Sequence, residues 1–187
     1  MTPEQMANFE TGPPFRAMEW VASIRNRDFP RTWDLTSTEF RLWLAQNWCY
    51  RNRNHPLVRA AGPQKLAEDL ANDPAAEGEL SDAFQDGVMR LLAENIASLA
   101  EDCTPSINPR TLGIDLELAI LLDPDTAPRD EHGQPYWPAD TVIEGFELIV
   151  KHQDDWRVHA IGKALPEPGW PPSWTMIETG TEPPEHR

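Results

Sequence analysis

Leu112-Gly113-Ile114-Asp115-Leu116-Glu117-Leu118-Ala119-Ile120-Leu121-Leu122, taken with Thr141 to Lys151 and Trp156-Arg157-Val158-His159-Ala160-Ile161, decides the fold. In the first stretch Ile114, Leu116, Leu118, Ile120 and Leu122 alternate with Asp115, Glu117, Ala119 and Leu121. That two-residue period predicts a strand with one row of aliphatics on a sheet face. The other two stretches predict strands joined by His152-Gln153-Asp154-Asp155, a connection short enough for a hairpin, so the pairing is antiparallel.

Upstream of Pro105 the period is helical. Over Phe15–Arg27, Phe15, Met18, Val21, Ala22 and Ile24 recur at three- and four-residue spacing behind Gly12-Pro13-Pro14. Asp28, with Pro30 following, caps a short turn that carries Trp33 and Leu35. A second helix is predicted over Thr36–Tyr50, where Thr36 and Glu39 have capping-box spacing and Phe40, Trp43, Leu44 and Trp48 share a face. Arg51 to Pro56 reads as a loop, and Gln64–Leu70 as a short helix in a broken segment. Ser81 is the expected cap of a third helix, with Phe84, Val88, Leu91, Leu92, Asn95 and Leu99 inward. Helices followed by an antiparallel sheet give an α+β class, helices covering one sheet face. The expected organisation is a lead-in over 1–14, one domain over 15–165 and a Pro-, Glu- and Trp-rich tail over 166–187. The tail is expected to be irregular, held down by Trp170 and Trp174 and dispensable for folding.

Composition narrows the function. Residues 1–60 carry eight Lys/Arg against six Asp/Glu, and residues 61–187 carry eight against twenty-five. An acidic bulk of that kind opposes direct nucleic-acid binding, which needs basic groups to displace counterions, and suits a protein partner with a basic surface. No apolar run is long enough to span a bilayer and no secretory leader pattern opens the chain, so a cytoplasmic protein without membrane contact is expected. Cys49 and Cys103, far apart and without metal spacing, read as buried free thiols. Phosphate-loop, dinucleotide, zinc-protease, serine-hydrolase and calcium-loop motifs do not occur, and neither a cofactor nor a metal is expected.

Two groups of residues could carry chemistry. Asp115 and Glu117 lie two apart on one strand face, where Glu147, Arg157 and His159 could join them from neighbouring strands. As a site this is a carboxylate pair with a proton-shuttling histidine; as structure it is the polar row of a half-buried sheet. Trp33, Trp43 and Trp48, with His55 in the adjoining loop, could line an apolar ligand pocket, or the tryptophans could be core. His132 lies in a proline-rich loop without a partner of suitable spacing.

The helix started by Phe15, the break Asn26-Arg27-Asp28-Phe29 leading to Trp33, and the closing strand Asp155-Trp156-Arg157-Val158-His159-Ala160-Ile161-Gly162 resemble the nuclear transport factor 2-like superfamily. The resemblance spans residues 15–165. It implies a cone-shaped fold, a long helix against a curved antiparallel sheet, with a pocket at the open end and dimerisation through the sheet's outer face. Enzymes of that superfamily hold an acid/base carboxylate or a His/Asp pair in the pocket; no residue here matches such a motif. Two readings follow: a non-catalytic binding or regulatory protein acting through protein contacts, or a small-molecule-binding or isomerase/cyclase-like enzyme using the cone pocket.

Overall fold

The computed structural model describes residues 12–74, 78–106, 110–133 and 145–177. Helix α1, Pro13–Arg25, opens on two prolines, whose missing N–H groups cost nothing in the first turn. Its buried face is Ala17, Trp20, Val21, Ser23 and Ile24, while Ala22 is exposed and Phe15 half-buried. Trp20, which the spacing argument passed over, is the centre of that face, and its indole N–H donates to Thr36 Oγ1 at 2.9 Å. Helix α2, Phe29–Asp34, is capped as predicted by Asp28, whose carboxylate accepts from the Arg31 N–H.

Helix α3, Thr38–Arg51, starts two residues later than expected. Its cap is Ser37, whose Oγ accepts from the Phe40 N–H at 3.3 Å. Thr36 cannot serve, because its hydroxyl is committed to the Thr32 carbonyl and the Trp20 indole. The predicted loop after residue 51 ends at His55; helices α4, Pro56–Ala61, and α5, Pro63–Asn72, follow, separated by Gly62 at φ 79°. Helix α6, Glu79–Asn95, begins before Ser81, whose hydroxyl donates to the Pro74 carbonyl instead of capping. At its far end Asn95 is exposed and Ile96 takes the inward place. Arg25 from α1 donates to the carbonyls of Leu99, Ala100 and Glu101 just beyond, holding the exit from α6.

The sheet comprises β1 (Thr104–Pro105), β2 (Arg110–Thr111), β3 (Leu116–Leu122), β4 (Phe146–His152) and β5 (Trp156–Ile161), all antiparallel. Strands β1 and β2 share one edge of β3, and β4 and β5 follow on the other. The hairpin over 152–155 is as the sequence predicts. Strand β3 starts at Leu116, leaving Ile114 outside it and fully exposed, and the predicted segment Thr141–Glu144 lies outside the described residues. Helix α1 lies across β3, β4 and β5, and Ala119, Leu121, Leu148, Val150 and Val158 join its apolar face in the main core. The opposite face is buried too: Leu118, Ile120, Leu122, Ile149 and Ala160 form a second cluster with Leu112, Leu165 and Ile177 against it. One apolar and one polar row were expected, but β3 is covered on both sides and its second half is apolar in both rows. The chain is thus α+β, with helices on one face of an antiparallel sheet.

Residues 164–176 are not irregular. Strands β6 (Ala164–Glu167) and β7 (Ser173–Met176) form a two-stranded antiparallel sheet. Its indoles dock as expected: Trp170 meets Tyr50 edge to face at 5.4 Å, and Trp174 lies 3.9 Å from Trp43, which donates its indole N–H to the Ser173 carbonyl. Gly169 N–H adds a bond to the Gln46 side chain. Deleting residues 166–187 should therefore destabilise the fold by at least about 3 kcal/mol, on the scale of removing a packed tryptophan. Denaturant unfolding of the truncated and full chains measures the difference; equal midpoints would refute it.

Candidate functional site

Of the five polar residues placed on one sheet face, the structure brings none of the carboxylates to the histidine. Glu117 lies opposite Val150 on the helix-covered face, and Glu147 opposite Ile120 on the other. Burial holds the Glu117 carboxyl above its ordinary range, without a cationic partner among the described residues to offset it. Glu147 lies 3.5 Å from Lys163. Asp115 precedes β3, is exposed, and contributes its carbonyl to the His152 N–H. Arg157 is bound to Asp34, the last member of a chain of ion pairs that runs from Asp155 through Arg16, Glu19 and Arg31.

His159 has another setting. Ile149 pairs with Ala160 and Val150 with Val158, which leaves His159 as the extra residue of a β-bulge and aims its ring at the start of α3. Nδ1 is 2.8 Å from Ser37 Oγ and 3.9 Å from Glu39 Oε2. Glu39 is bound to Lys151 and accepts from the Gln153 side-chain amide at 3.1 Å. Burial, only partly opposed by Glu39, pulls the His159 pKa down to about 4, so the ring is neutral at pH 7 and shares a hydrogen bond with the Ser37 hydroxyl. Burial raises the Glu39 pKa, yet the Lys151 and backbone hydrogen bonds outweigh it and hold the carboxylate below its usual range. The serine and glutamate approach the same ring nitrogen, and Ser37 is fully buried and already caps α3. A nucleophile needs exposure, and a triad needs its acid on the other nitrogen, so this network is structural.

The tryptophans divide. Trp33 is core, stacked on Phe29 at 5.3 Å and edge-on to Phe84 at 5.5 Å. His55 is exposed at the start of α4 and lines none of the cavities described here. His132 is exposed and adjacent to Glu131. Trp43 and Trp48 do line open space. A groove of about 660 Å³ runs between α3 and α6, with Asn47, Trp48 and Arg51 on one side and Gly87, Arg90 and Glu94 on the other. At Leu44, Asn47, Arg51 and Leu91 it meets a second cavity of about 380 Å³, walled by Phe40, Trp43, Trp174 and Met176. Sequence reasoning missed Asn47, Arg51 and Met176, because nothing in local spacing says that residue 176 returns to residue 43. Arg51 makes no ion pair with any described residue. Among the described residues no three His, Cys, Asp or Glu side chains come close enough to hold a metal, and no helix is long and apolar enough to cross a membrane. Both cysteines are free and buried, and burial pushes the Cys49 thiol up to about 12. Comparison with known proteins finds no matching family model, no matching curated protein and no matching solved structure.

Two measurements test this geometry. A folded-state pKa depressed below 6.5 means that the unfolded chain binds the His159 proton first. The stabilisation is therefore complete above pH 6.5 and fades as pH falls towards 4, by on the order of 3 kcal/mol for this group. His159→Gln, which can still hydrogen-bond Ser37, should flatten the stability profile across that window; an unchanged slope would remove His159 as its source. At Gly87, an added Cβ would stand 2.7 Å from Trp48 Nε1, so the groove wall has no space for a methyl group. Gly87→Ala should lower the unfolding free energy by about 1–2 kcal/mol despite alanine's better helix propensity, and shift tryptophan emission. A gain in stability would show that Trp48 yields freely.

Proposed function

We propose that this is a non-catalytic binding protein whose α3–α6 groove, with its continuation beneath the β6–β7 hairpin, takes part of a partner protein. The supporting observation is the groove itself: two adjoining cavities, walled by indoles and leucines and edged by Arg51, which has no ion pair among the described residues. Aromatic and arginine side chains at the centre of an apolar patch are the residue types that carry most binding energy in protein interfaces. The polar network at His159 lacks an accessible nucleophile, which favours binding over catalysis. The acidic surface suits a partner with basic residues around the contact, and a cytoplasmic setting agrees with two reduced cysteines. The fold we assign is cone-like in the nuclear transport factor 2-like manner, on the strength of α1 lying across the antiparallel sheet. A homodimer through the outer sheet face loses appeal, since that face is already buried.

A small-molecule site is the second reading, favoured by a groove volume within the range of ligand pockets. It differs from the cone-pocket enzyme expected from the resemblance, because Trp20, Val21 and Ile24 fill the space between α1 and the sheet. Native mass spectrometry on protein purified gently from its own host separates the two readings. A retained protein chain that is lost, with affinity falling at least tenfold (about 1.4 kcal/mol) in Trp174→Ala or Arg51→Glu, is the expected outcome. A retained small molecule displaced by the same substitutions would transfer the site to the second reading.

A further inference from the structure

The β6–β7 hairpin ends in an edge that no described strand pairs with. Ala164 lies opposite Met176, Leu165 opposite Thr175, Pro166 opposite Trp174 and Glu167 opposite Ser173, and the Ile177 N–H donates to the Lys163 carbonyl at 2.8 Å. In an antiparallel ladder bonded and non-bonded pairs alternate. Lys163/Ile177, Leu165/Thr175 and Glu167/Ser173 are therefore the bonded pairs, and the N–H and C=O groups of Trp174 and Met176 point away from β6. Pro166, which has no N–H to give, sits opposite Trp174 as that pattern requires. All four residues of β7 are exposed, Trp174 by 40% and Met176 by 71%. The longer strands are flanked on both sides: β3 by β1, β2 and β4, and β5 by β4 and by Thr36, which bridges to Val158. Edges left exposed in natural proteins are usually blunted by charge, proline or a bulge, and Ser173–Met176 contains none of these.

We propose that β7 accepts, as a third strand, an extended segment of a partner protein that presents a bulky apolar side chain and, two residues along, a carboxylate. This rests on the protein-binding reading above and names the chemistry of its partner. The exposed backbone groups define an extended chain, because only a strand satisfies the N–H and C=O groups of two residues spaced two apart. Side chains repeat every second residue on a sheet face, and the face shared by Ala164, Trp174 and Met176 is the one that walls the 380 Å³ cavity. An added strand presents alternate side chains to that face: an apolar one against Trp43, Trp174 and Leu91, and the next towards Arg51, which has no ion-pair partner among the described residues. A second copy of this chain is the weaker occupant, since it would join two chains each carrying a net charge of −15.

The test uses the full chain and a displayed library of random dodecapeptides, followed by synthetic copies of the enriched sequences. Met176→Pro deletes one outward N–H without touching the bonds to β6, and Met176→Ala removes the side chain alone. The enriched peptides should share an apolar residue with Asp or Glu two positions away. Met176→Pro should weaken them at least about tenfold beyond Met176→Ala, and hydrogen exchange on the wild-type chain should slow at the Trp174 and Met176 amides on binding. Peptides that bind the groove with those two amides unchanged, and bind both variants equally, would overturn strand addition while leaving the groove reading intact. A dimer that Met176→Pro dissolves would overturn the choice of occupant. A library that yields no binder, together with no protein retained in native mass spectrometry, would overturn both readings.

Discussion

Val158 ties the two halves of the molecule together. Its N–H donates to the Leu35 carbonyl and its own carbonyl accepts from the Ser37 N–H, both at 2.8 Å, so the connector between α2 and α3 becomes a further strand partner of β5. Everything near it depends on that seam. Ser37 is placed to cap α3, Thr36 to receive the Trp20 indole, and the bulge at His159 turns an imidazole onto the cap. The buried hydroxyls of Ser23, Thr32, Thr36 and Ser37 there each have a partner, which is what makes burying so many of them tolerable. With α3 fixed against the sheet edge, its other side is free to meet α6 and the hairpin, and the groove lies where those three surfaces fail to close.

The same seam explains why the polar residues of the sheet are not gathered into one cluster. Glu39 serves Lys151 and Gln153, Arg157 serves Asp34, and Arg16 joins Glu19 to Asp155, so the charged groups link helices to strand ends. The exceptions stand out by contrast. Among the described residues, Arg51 on the groove lacks such a partner and the hairpin edge lacks a neighbouring strand.

Much of this architecture was legible in the sequence where the signal is local. The Asp28 cap, the strand over 156–161 and its hairpin, and the inward places of Phe84, Val88 and Leu92 follow from spacing and turn chemistry. Ser37 was missed because Thr36 and Ser37 are adjacent and both can cap; the choice is made by the distant Trp20. The polar face over Asp115 and Glu117 did not assemble, because Ala119 and Leu121 carry the same row into the core. His159 could not be placed by alternation, since a bulge shifts the parity of a strand without changing its sequence. The groove was only half visible: Trp43 and Trp48 could be suspected, but their counterpart arrives from beyond the sheet.

That late arrival has a kinetic meaning. Trp43 and Ser173 are 130 residues apart in the chain, and β7 is the last strand described. During synthesis the six described helices leave the ribosome before any of β3, β4 or β5, and the aromatic surface of α3 stays uncovered until the β6–β7 hairpin emerges. Contacts of such long range close slowly. The newly made chain therefore passes through a stage in which Phe40 and Trp43 are accessible to chaperones, and the segment that later frames the groove is also the one that ends this exposure.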